Sequence, residues 1–232
     1  MENNSEKSKE EEIEIKKLEP NQISERDEFI NFKTIIVGNS GVGKSSLLKR
    51  AVQRKFTDHY QATIGFEFLL LYYEINGVKI KLQIWDTCGE EMYRSLVQGF
   101  YRNTSLTLLV YSISDQKSYD DLYEWLNDIK KNTEKSMPIF LVGTKYDLDD
   151  ELKIIKKEDA LNFVKQKNLQ YFSESSAKTG YKVDEIFTEI ARYLYFECYL
   201  KGKKNIQKLK IGTKLDEGET PGNSKKKRCC KQ

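Results

Sequence analysis

The chain has 232 residues, of which 38% are hydrophobic, and a formal net charge of +3, so it is long enough for one domain with appended segments and apolar enough for a buried core. The charge is uneven, because residues 1–28 carry ten acidic and five basic side chains, whereas residues 201–232 carry eleven basic and three acidic ones. No stretch has the pattern of a signal peptide or the ~20 apolar residues of a membrane span, and the four cysteines fit neither a zinc site nor a disulfide framework, so we expect a cytosolic protein with reduced thiols.

The sequence predicts three segments. Residues 1–28 are expected to form a mostly disordered acidic N-terminal extension with a transient helix over residues 9–19, because too few apolar residues are present to build a core. Residues 29–200 alternate apolar runs with helical patterns and are expected to form the single domain. Residues 201–232 lose this periodicity and are expected to form a flexible basic tail.

The domain pattern predicts an α/β fold. Strands are expected at residues 33–37, 67–75, 78–85, 106–111, 139–142 and 169–172, and helices at 44–53, 118–132, 156–167 and 183–200. Asn76-Gly77 joins the second and third strands and is a strong hairpin signal. Because helices connect the other strands, we expect a six-stranded, mostly parallel sheet with one antiparallel strand and helices on both faces. Ligands of such sheets bind beyond the carboxyl ends of the strands.

A phosphate-binding pattern follows the first predicted strand. The stretch Gly38-Asn39-Ser40-Gly41-Val42-Gly43-Lys44-Ser45 matches G-x-x-x-x-G-K-[ST] at every fixed position. Between a strand and a helix, such a loop cradles phosphate oxygens with backbone N–H groups and a helix N-terminus. We expect Lys44 to reach the outer phosphates and the Ser45 hydroxyl to bind Mg²⁺. The alternative is a chance glycine-rich turn.

Two further positions could complete the phosphate and metal site. Asp86 ends the third predicted strand in Trp85-Asp86-Thr87-Cys88-Gly89, where its carboxylate could hold Mg²⁺ through water and Gly89 could offer its N–H to a γ-phosphate. Thr63 lies in the polar loop before the second strand and could reach the same metal. For Asp86 alone, a surface turn residue is an equally good interpretation.

Two motifs at later strand ends predict guanine specificity. Asp147, in Thr144-Lys145-Tyr146-Asp147, can accept from the N1–H and exocyclic amine of guanine, a donor pair that adenine lacks. The Lys145 stem can cover one ring face, and the backbone of Ser176-Ala177-Lys178 can bind the guanine carbonyl. Each motif is weak alone in a lysine-rich chain, but their order at successive strand ends gives a strong joint signal.

With these motifs, the chain resembles a small GTPase of the Ras superfamily, and specifically of the Rab family, over about residues 29–200 and the last four residues. Rab-like stretches are KFTDHYQATIGFEF from Lys55, KLQIWDTCGEE from Lys81, Phe100-Tyr101-Arg102 and VYSISD from Val110. The resemblance implies the three-layer P-loop GTPase fold, GTP or GDP as ligand and Mg²⁺ held by Ser45, Thr63 and Asp86. The nucleotide-binding residues that it implies are Ser40, Gly41, Val42, Gly43, Lys44, Ser45, Ser46, Phe56, Tyr60, Thr63, Gly89, Thr144, Lys145, Asp147, Ser176, Ala177 and Lys178.

The resemblance also implies a switch. Phe56 would stack edge-on against guanine, Thr63 would bind Mg²⁺ and the γ-phosphate only in the GTP state, and Gly89 would sense the γ-phosphate. Core filling is the alternative role for the aromatic members of the implied effector surface, and both roles can hold at once. That surface comprises Ile64, Gly65, Phe66, Glu67, Phe68, Trp85, Phe100 and Tyr101.

Three positions depart from the family pattern. Glu90 replaces the glutamine that orients the attacking water, and because a carboxylate only accepts hydrogen bonds and adds negative charge, we expect slower hydrolysis. Alternatively, Glu90 acts as a base or an activating protein supplies a glutamine; Lys44 and Gly89 are the other candidate catalytic residues. Cys88 replaces the usual alanine and Thr144 the usual asparagine, and we expect both to preserve binding.

The sequence Lys225-Lys226-Lys227-Arg228-Cys229-Cys230-Lys231-Gln232 predicts lipidation of the tail. Cys229 and Cys230 resemble the doubly geranylgeranylated Rab terminus, in which two lipid chains anchor stably; a chance cysteine pair is the alternative. The expected site of action is the cytoplasmic face of an intracellular membrane, with cycling through the cytosol.

The predicted function is a GTP/GDP switch in vesicle traffic. The implied partners are an exchange factor, a GTPase-activating protein, a GDP-dissociation inhibitor, a prenylation escort and effectors, with no nucleic acid, and the protein is expected to be a monomer. Two alternatives remain open: a GTP-binding module that scarcely hydrolyses and recruits effectors, and an ATP-dependent enzyme, which Asp147 disfavours.

Overall fold

The computed structural model describes residues 13–59, 63, 65–88, 99–133 and 137–202. The chain divides into two compact units, residues 1–194 and 195–232. The described part of the first unit contains β1 (Ile15–Leu18), β2 (Ile30–Val37), α1 (Lys44–Gln53), β3 (Phe66–Ile75), β4 (Val78–Thr87), β5 (Leu106–Ser112), α2 (Gln116–Asp120), α3 (Leu122–Asn132), β6 (Ile139–Thr144), α4 (Lys157–Lys167), β7 (Tyr171–Glu174) and α5 (Val183–Leu194). Short 3-10 turns cover Pro20–Gln22, Gly99–Tyr101 and Asp150–Leu152.

The strands form one sheet in the order β1-β3-β4-β2-β5-β6-β7. Strands β2, β4, β5, β6 and β7 pair in parallel, whereas β3 is antiparallel to both β4 and β1. The predicted α/β fold with a mostly parallel sheet is therefore confirmed. The predicted strand number of six is corrected to seven, because β1 adds a second antiparallel pair at the edge.

Strand β1 lies in the segment for which the sequence predicts disorder and a transient helix. It pairs with β3 from Ile15 opposite Ile75 to Leu18 opposite Tyr72, and Leu18 is buried. The edge of β3 offers unpaired backbone groups, and the backbone of the short segment Ile15–Leu18 satisfies them by antiparallel pairing. This pairing between distant parts of the chain gives residues 15–18 a structure that their composition did not predict.

The hairpin between β3 and β4 is confirmed. Ile75 lies opposite Val78, which leaves a two-residue turn. Asn76 and Gly77 have positive φ values of 48° and 76°, as a type I′ turn requires at both central positions.

Two helical layers cover the sheet. Ile35 and Val37 of β2 share a core cluster with Trp125 of α3 and Phe163 of α4. Helix α1 contacts α5, and both helices contact β3. Helix α5 buries residues at three- and four-residue spacings, as an amphipathic helix does; these are Val183, Ile186, Phe187, Ile190, Ala191 and Leu194.

In the second unit, the described residues form a π-helical segment over Tyr195–Leu200. The helix that the sequence predicts for residues 183–200 therefore changes its hydrogen-bonding pattern at residue 195. Within this segment the rings of Tyr195 and Tyr199 lie 5.6 Å apart, and Lys201 pairs with Glu197. Across the described residues, no helix has both the length and the apolar character needed to span a bilayer.

Candidate functional site

The largest group of predicted site residues lines one cavity of about 390 Å³. It lies where β2 leads into the phosphate loop and where β4, β6 and β7 end. The described part of the lining combines main-chain groups, hydroxyls, four lysines and two carboxylates, which suits a polar ligand that carries negative charge. Its described residues are Ser40, Gly41, Gly43, Lys44, Ser45, Ser46, Lys49, Phe56, Thr57, Asp58, His59, Thr63, Cys88, Thr144, Lys145, Asp147, Leu148, Ala177 and Lys178.

The phosphate loop is fixed by its backbone contacts. A Cβ at Gly38 would lie 2.0 Å from the carbonyl oxygen of Val110, so this position accepts only glycine. Lys44 begins α1, and its Nζ donates to the carbonyl oxygens of Gly38 at 2.8 Å and Asn39 at 2.7 Å. Burial lowers the pKa of Lys44 to about 8, although Asp86 and Cys88 act in the opposite direction. The loop therefore holds a buried amine ready for an anionic partner.

Asn39, which the sequence pattern leaves unspecified, ties the phosphate loop to the next helical layer. Its Nδ2 donates to Asp121 Oδ2 at 2.6 Å, and its Oδ1 accepts from Trp125 Nε1 at 2.7 Å. These partners lie 82 and 86 residues further along the chain. No local sequence signal predicts such a contact.

Three predicted metal ligands meet at the start of α1. Ser45 Oγ lies 2.7 Å from Thr63 Oγ1 and also donates to Asp86 Oδ2. Burial raises the pKa of Asp86 to about 6, while the Ser45 hydrogen bond and Lys44 lower it. The other carboxylate oxygen, Asp86 Oδ1, is buried without a hydrogen-bond partner among the described residues.

This donor set fits a hard divalent cation. Two hydroxyls and a carboxylate supply the oxygen ligands that Mg²⁺ prefers. A cation would also satisfy the buried Oδ1 of Asp86, which otherwise costs free energy. Ser45, Thr63 and Asp86 are therefore the residues that would hold Mg²⁺.

Thr144 connects the phosphate loop to the strand that precedes the base motif. Its hydroxyl contacts the carbonyl oxygens of Val42 and of Tyr111, the latter at 2.9 Å. Val42 itself is fully buried and is not among the described residues that line the cavity. Thr144 thus lines the cavity itself and also holds the phosphate loop through the Val42 carbonyl oxygen, a contact for which a hydroxyl is sufficient.

The base-recognition motifs lie together at the other end of the cavity. Asp147 Oδ1 accepts a hydrogen bond of 2.5 Å from Ser176 Oγ, which fixes the carboxylate. Ser176 is buried behind Asp147, whereas Lys145, Ala177 and Lys178 line the cavity. The Asp147 side chain is exposed in the cavity wall. The hydrogen bond from Ser176 therefore orients the Asp147 carboxylate, which is still accessible to a ligand in the cavity.

The loop after α1 contributes residues that sequence reasoning missed. Phe56 lines the cavity as predicted, and Thr57, Asp58 and His59 line it as well. Asp58 Oδ1 lies 3.9 Å from Lys178 Nζ, so this loop approaches the motif that follows β7. All three lie in the Rab-like stretch that begins at Lys55, but the sequence alone singles out only Phe56, Tyr60 and Thr63 of the loop as nucleotide-binding residues.

The predicted effector surface is an aromatic cluster. Phe66 lies 5.2 Å from Trp85 and 4.7 Å from Phe100, measured between ring centroids, and Phe68 lies 4.9 Å from Trp85. Phe66 is 50% exposed and Phe68 is 41% exposed, whereas Tyr101 is buried. Glu67 pairs with Lys49 of α1 at 3.4 Å, and the Gly65 carbonyl accepts from Cys88 N–H at 3.1 Å. The cluster therefore combines core filling with an exposed apolar face.

Several predicted positions lie outside the described residues. These are Tyr60 and Ile64 in the first switch, Gly89 and Glu90 in the second, and the lipidation candidates Cys229 and Cys230. Their predicted roles remain predictions.

Known proteins resemble this chain over most of its length. A sequence model described as "Ras family" matches residues 33–196. The Ras-related protein Rab-13 of Canis lupus familiaris is 37% identical over 161 residues, which cover 69% of this chain and 78% of the relative. Its counterpart in Bos taurus is 36% identical over 177 residues, which cover 76% of this chain and 86% of the relative.

Proposed function

This chain belongs to the Ras family of small GTPases and within it to the Rab proteins, and from that premise we propose that it is a Mg²⁺-dependent GTP/GDP switch in vesicle traffic. The observation that carries the proposal is that one cavity extends from Ser45 and Thr63, the former bonded to Asp86, to Asp147. A triphosphate at one end and a guanine base at the other would occupy both sets of groups at once.

The residues of the chain divide the work along this cavity. Main-chain N–H groups of the phosphate loop and the Lys44 ammonium would bind the β- and γ-phosphates. Mg²⁺, when bound, would neutralise charge on the phosphate oxygens. Thr63 would bind Mg²⁺ and the γ-phosphate only in the GTP state, and these contacts would tie the order of the first switch loop to the nucleotide. Gly89 would link the second switch in the same way.

Replacing Asp147 tests the guanine assignment. In Asp147→Asn the amide has one acceptor oxygen for the two guanine donors, but its N–H can donate to the extra carbonyl of xanthine. We expect GDP affinity to fall by at least about 100-fold and xanthosine diphosphate to bind better than GDP. Titration of fluorescent nucleotide analogues measures both affinities.

The matched control is Asp149→Asn, the same substitution at an exposed carboxylate two residues away. It should bind GDP as the wild type does. Two results would contradict the guanine assignment. One is an unchanged GDP affinity in Asp147→Asn, and the other is a wild-type protein that binds ADP as tightly as GDP.

A second candidate function, supported by Glu90, is a GTP-binding module that recruits effectors and hydrolyses GTP slowly. A carboxylate cannot donate to the transition state as glutamine does, and removing one such donor typically costs about 10²–10³ in rate. We expect Glu90→Gln to release phosphate from bound GTP faster than the wild type in a single-turnover assay. Equal rates in the two proteins would reject this role for Glu90; the neighbouring Glu91→Gln serves as the control.

Membrane attachment forms part of the proposal. Geranylgeranyl groups on Cys229 and Cys230, together with the basic run before them, would hold the protein on the cytoplasmic face of an intracellular membrane. An exchange factor, a GTPase-activating protein and effectors would act at the two switches and the aromatic cluster, and a GDP-dissociation inhibitor and a prenylation escort would handle the lipidated tail.

A further inference from the structure

Two tyrosine rings join the loops that carry the base-recognition motifs. The rings of Tyr146 and Tyr181 lie 4.7 Å apart with an interplanar angle of 14°, which is a stacked pair. Tyr146 lies between Lys145 and Asp147 in the loop after β6, and Tyr181 lies in the loop after β7 that begins with Ser176. Neither ring is among the described residues that line the cavity, so the pair would act on a ligand only through its neighbours.

The backbone of Tyr181 shapes its own loop. Its carbonyl oxygen accepts from the Ser176 N–H at 3.1 Å and from the Ser175 hydroxyl at 2.9 Å. Its N–H donates to Thr179 Oγ1 at 3.3 Å. Residues 176–181 therefore form a closed turn that presents Ser176 and Ala177, and the Tyr181 ring projects from the end of this turn.

Tyr146 is fixed in its own loop in a similar way. Its N–H donates to the Ser175 carbonyl oxygen at 3.1 Å, and its ring packs against the core cluster below α3 and α4. Lys153 Nζ also lies 4.5 Å from the centre of the Tyr146 ring. Tyr146 is thus anchored to the domain core, whereas Tyr181 is 42% exposed, and its ring contacts Tyr146 and has its centre 5.7 Å from Lys182 Nζ.

We infer that the Tyr146–Tyr181 stack is a positioning element that holds Asp147 and the Ser176 turn in register for the guanine base. The link between the loops otherwise consists of the Ser176–Asp147 hydrogen bond and the Tyr146–Ser175 backbone bond. The Ser175 N–H also donates to the Gly143 carbonyl oxygen of β6 at 2.8 Å, and the ring stack adds a side-chain contact between the two loops at the far end of the turn. This inference rests on the proposed guanine site and names residues that set how long the base stays bound.

Substitution of each ring tests the inference. An aromatic pair contributes enough that its loss should speed GDP release by about 2- to 10-fold. We expect this acceleration in Tyr146→Leu and in Tyr181→Leu, and no greater acceleration in the double variant, because the two residues act as one unit. Tyr146→Phe and Tyr181→Phe retain the ring and should release GDP at the wild-type rate. Stopped-flow displacement of a fluorescent GDP analogue measures these rates.

A second readout separates positioning from general destabilisation. Inosine diphosphate lacks the exocyclic amine from which Asp147 would accept a hydrogen bond. Displacement of Asp147 should therefore increase the release rate of GDP more than that of inosine diphosphate. We expect the ratio of the two release rates to move towards one in both leucine variants. Tyr123→Leu is the matched control, because Tyr123 is 46% exposed and contacts another ring, Phe163, at 5.2 Å, away from the cavity lining. It should leave both rates unchanged.

The inference would be overturned if both leucine variants released GDP at the wild-type rate, or if the phenylalanine variants released it as fast as the leucine variants. It would also be overturned if the two leucine substitutions had additive effects on GDP release, or if the ratio of the GDP and inosine diphosphate release rates did not change. If Tyr146→Leu does not fold, the more exposed Tyr181→Leu decides the matter alone. A wild-type protein that binds no GDP would instead overturn the proposed function, and this inference with it.

Discussion

At the scale of single residues, Asp86 has an unusual electrostatic position. Its side chain is fully buried, and burial raises its pKa to about 6, above the ordinary range of an aspartate. A raised pKa in the folded state means that folding favours the protonated acid, so this contribution to stability is present at low pH and is lost as the pH rises through about 6.

Without Mg²⁺ and nucleotide, the protein should therefore gain stability from Asp86 as the pH falls. We expect the free energy of unfolding of the wild type, relative to Asp86→Asn, to rise on the order of 1 kcal/mol between neutral pH and about pH 5. Urea denaturation in the presence of a chelator measures it at each pH. The variant supplies the background from all other titrating groups, and a pH-independent difference between the two proteins would contradict the pKa shift.

The residues of the candidate site differ in how far sequence could predict them. Short motifs of adjacent residues predict the position of Lys44, Ser45 and Asp147, and all three line the cavity. Asn39 and Tyr181 act through partners that only the folded chain brings near, Trp125 and Tyr146 respectively. Such contacts have no signature in a single sequence.

At the scale of elements, β1 is held by side chains as well as by its backbone. Lys17 Nζ donates to the Ala51 carbonyl oxygen at 2.7 Å and to Asp184 Oδ1 at 2.8 Å. Arg54, just after α1, also pairs with Asp184. Burial alone would raise the pKa of Asp184, but the hydrogen bonds from Lys17 and Arg54 outweigh burial and lower it. One lysine thus links β1, the end of α1 and the start of α5.

Removing this lysine should weaken the attachment of β1. We expect Lys17→Ala to lower the free energy of unfolding by about 1–2 kcal/mol, because a partly buried amine loses two hydrogen bonds, one of them to a carboxylate. Thermal and urea unfolding of the GDP-bound protein measure the change. Lys16→Ala, at an exposed position on the same strand, should change stability by less than about 0.5 kcal/mol; similar losses in both variants would argue against the link.

The elements also show why prediction succeeds locally and fails at the sheet edge. The turn Asn76-Gly77 and the bounds of α1 depend on backbone preferences within a few residues, and both agree with the structure. Strand β1 depends on the unpaired edge of β3, which lies about 55 residues further along the chain. Helices α2 and α3, expected as one helix over residues 118–132, separate at Asp121.

At the scale of the whole molecule, the proposed membrane anchor requires the tail cysteines. We expect Cys229→Ser with Cys230→Ser to move a tagged protein from membranes to the cytosol, because both lipid attachment sites are lost. Cell fractionation and microscopy measure the change. Cys198→Ser, at the exposed cysteine of the π-helical segment, is the matched control and should remain on membranes; membrane retention of the double variant would exclude lipidation of the pair as the anchor.

The position of β1 has a practical consequence for labelling the protein. Glu14 exchanges hydrogen bonds with Asn76 at the hairpin, whereas the other end of β3, at Phe66, pairs with Thr87 beside the cavity. A ten-residue strand spans about 30 Å, so the chain enters the domain at the end of the sheet remote from the nucleotide. A fluorescent label attached at Glu14 would therefore lie at the end of β3 remote from the cavity and would leave the cysteine tail unmodified, which suits measurements of both nucleotide exchange and membrane binding.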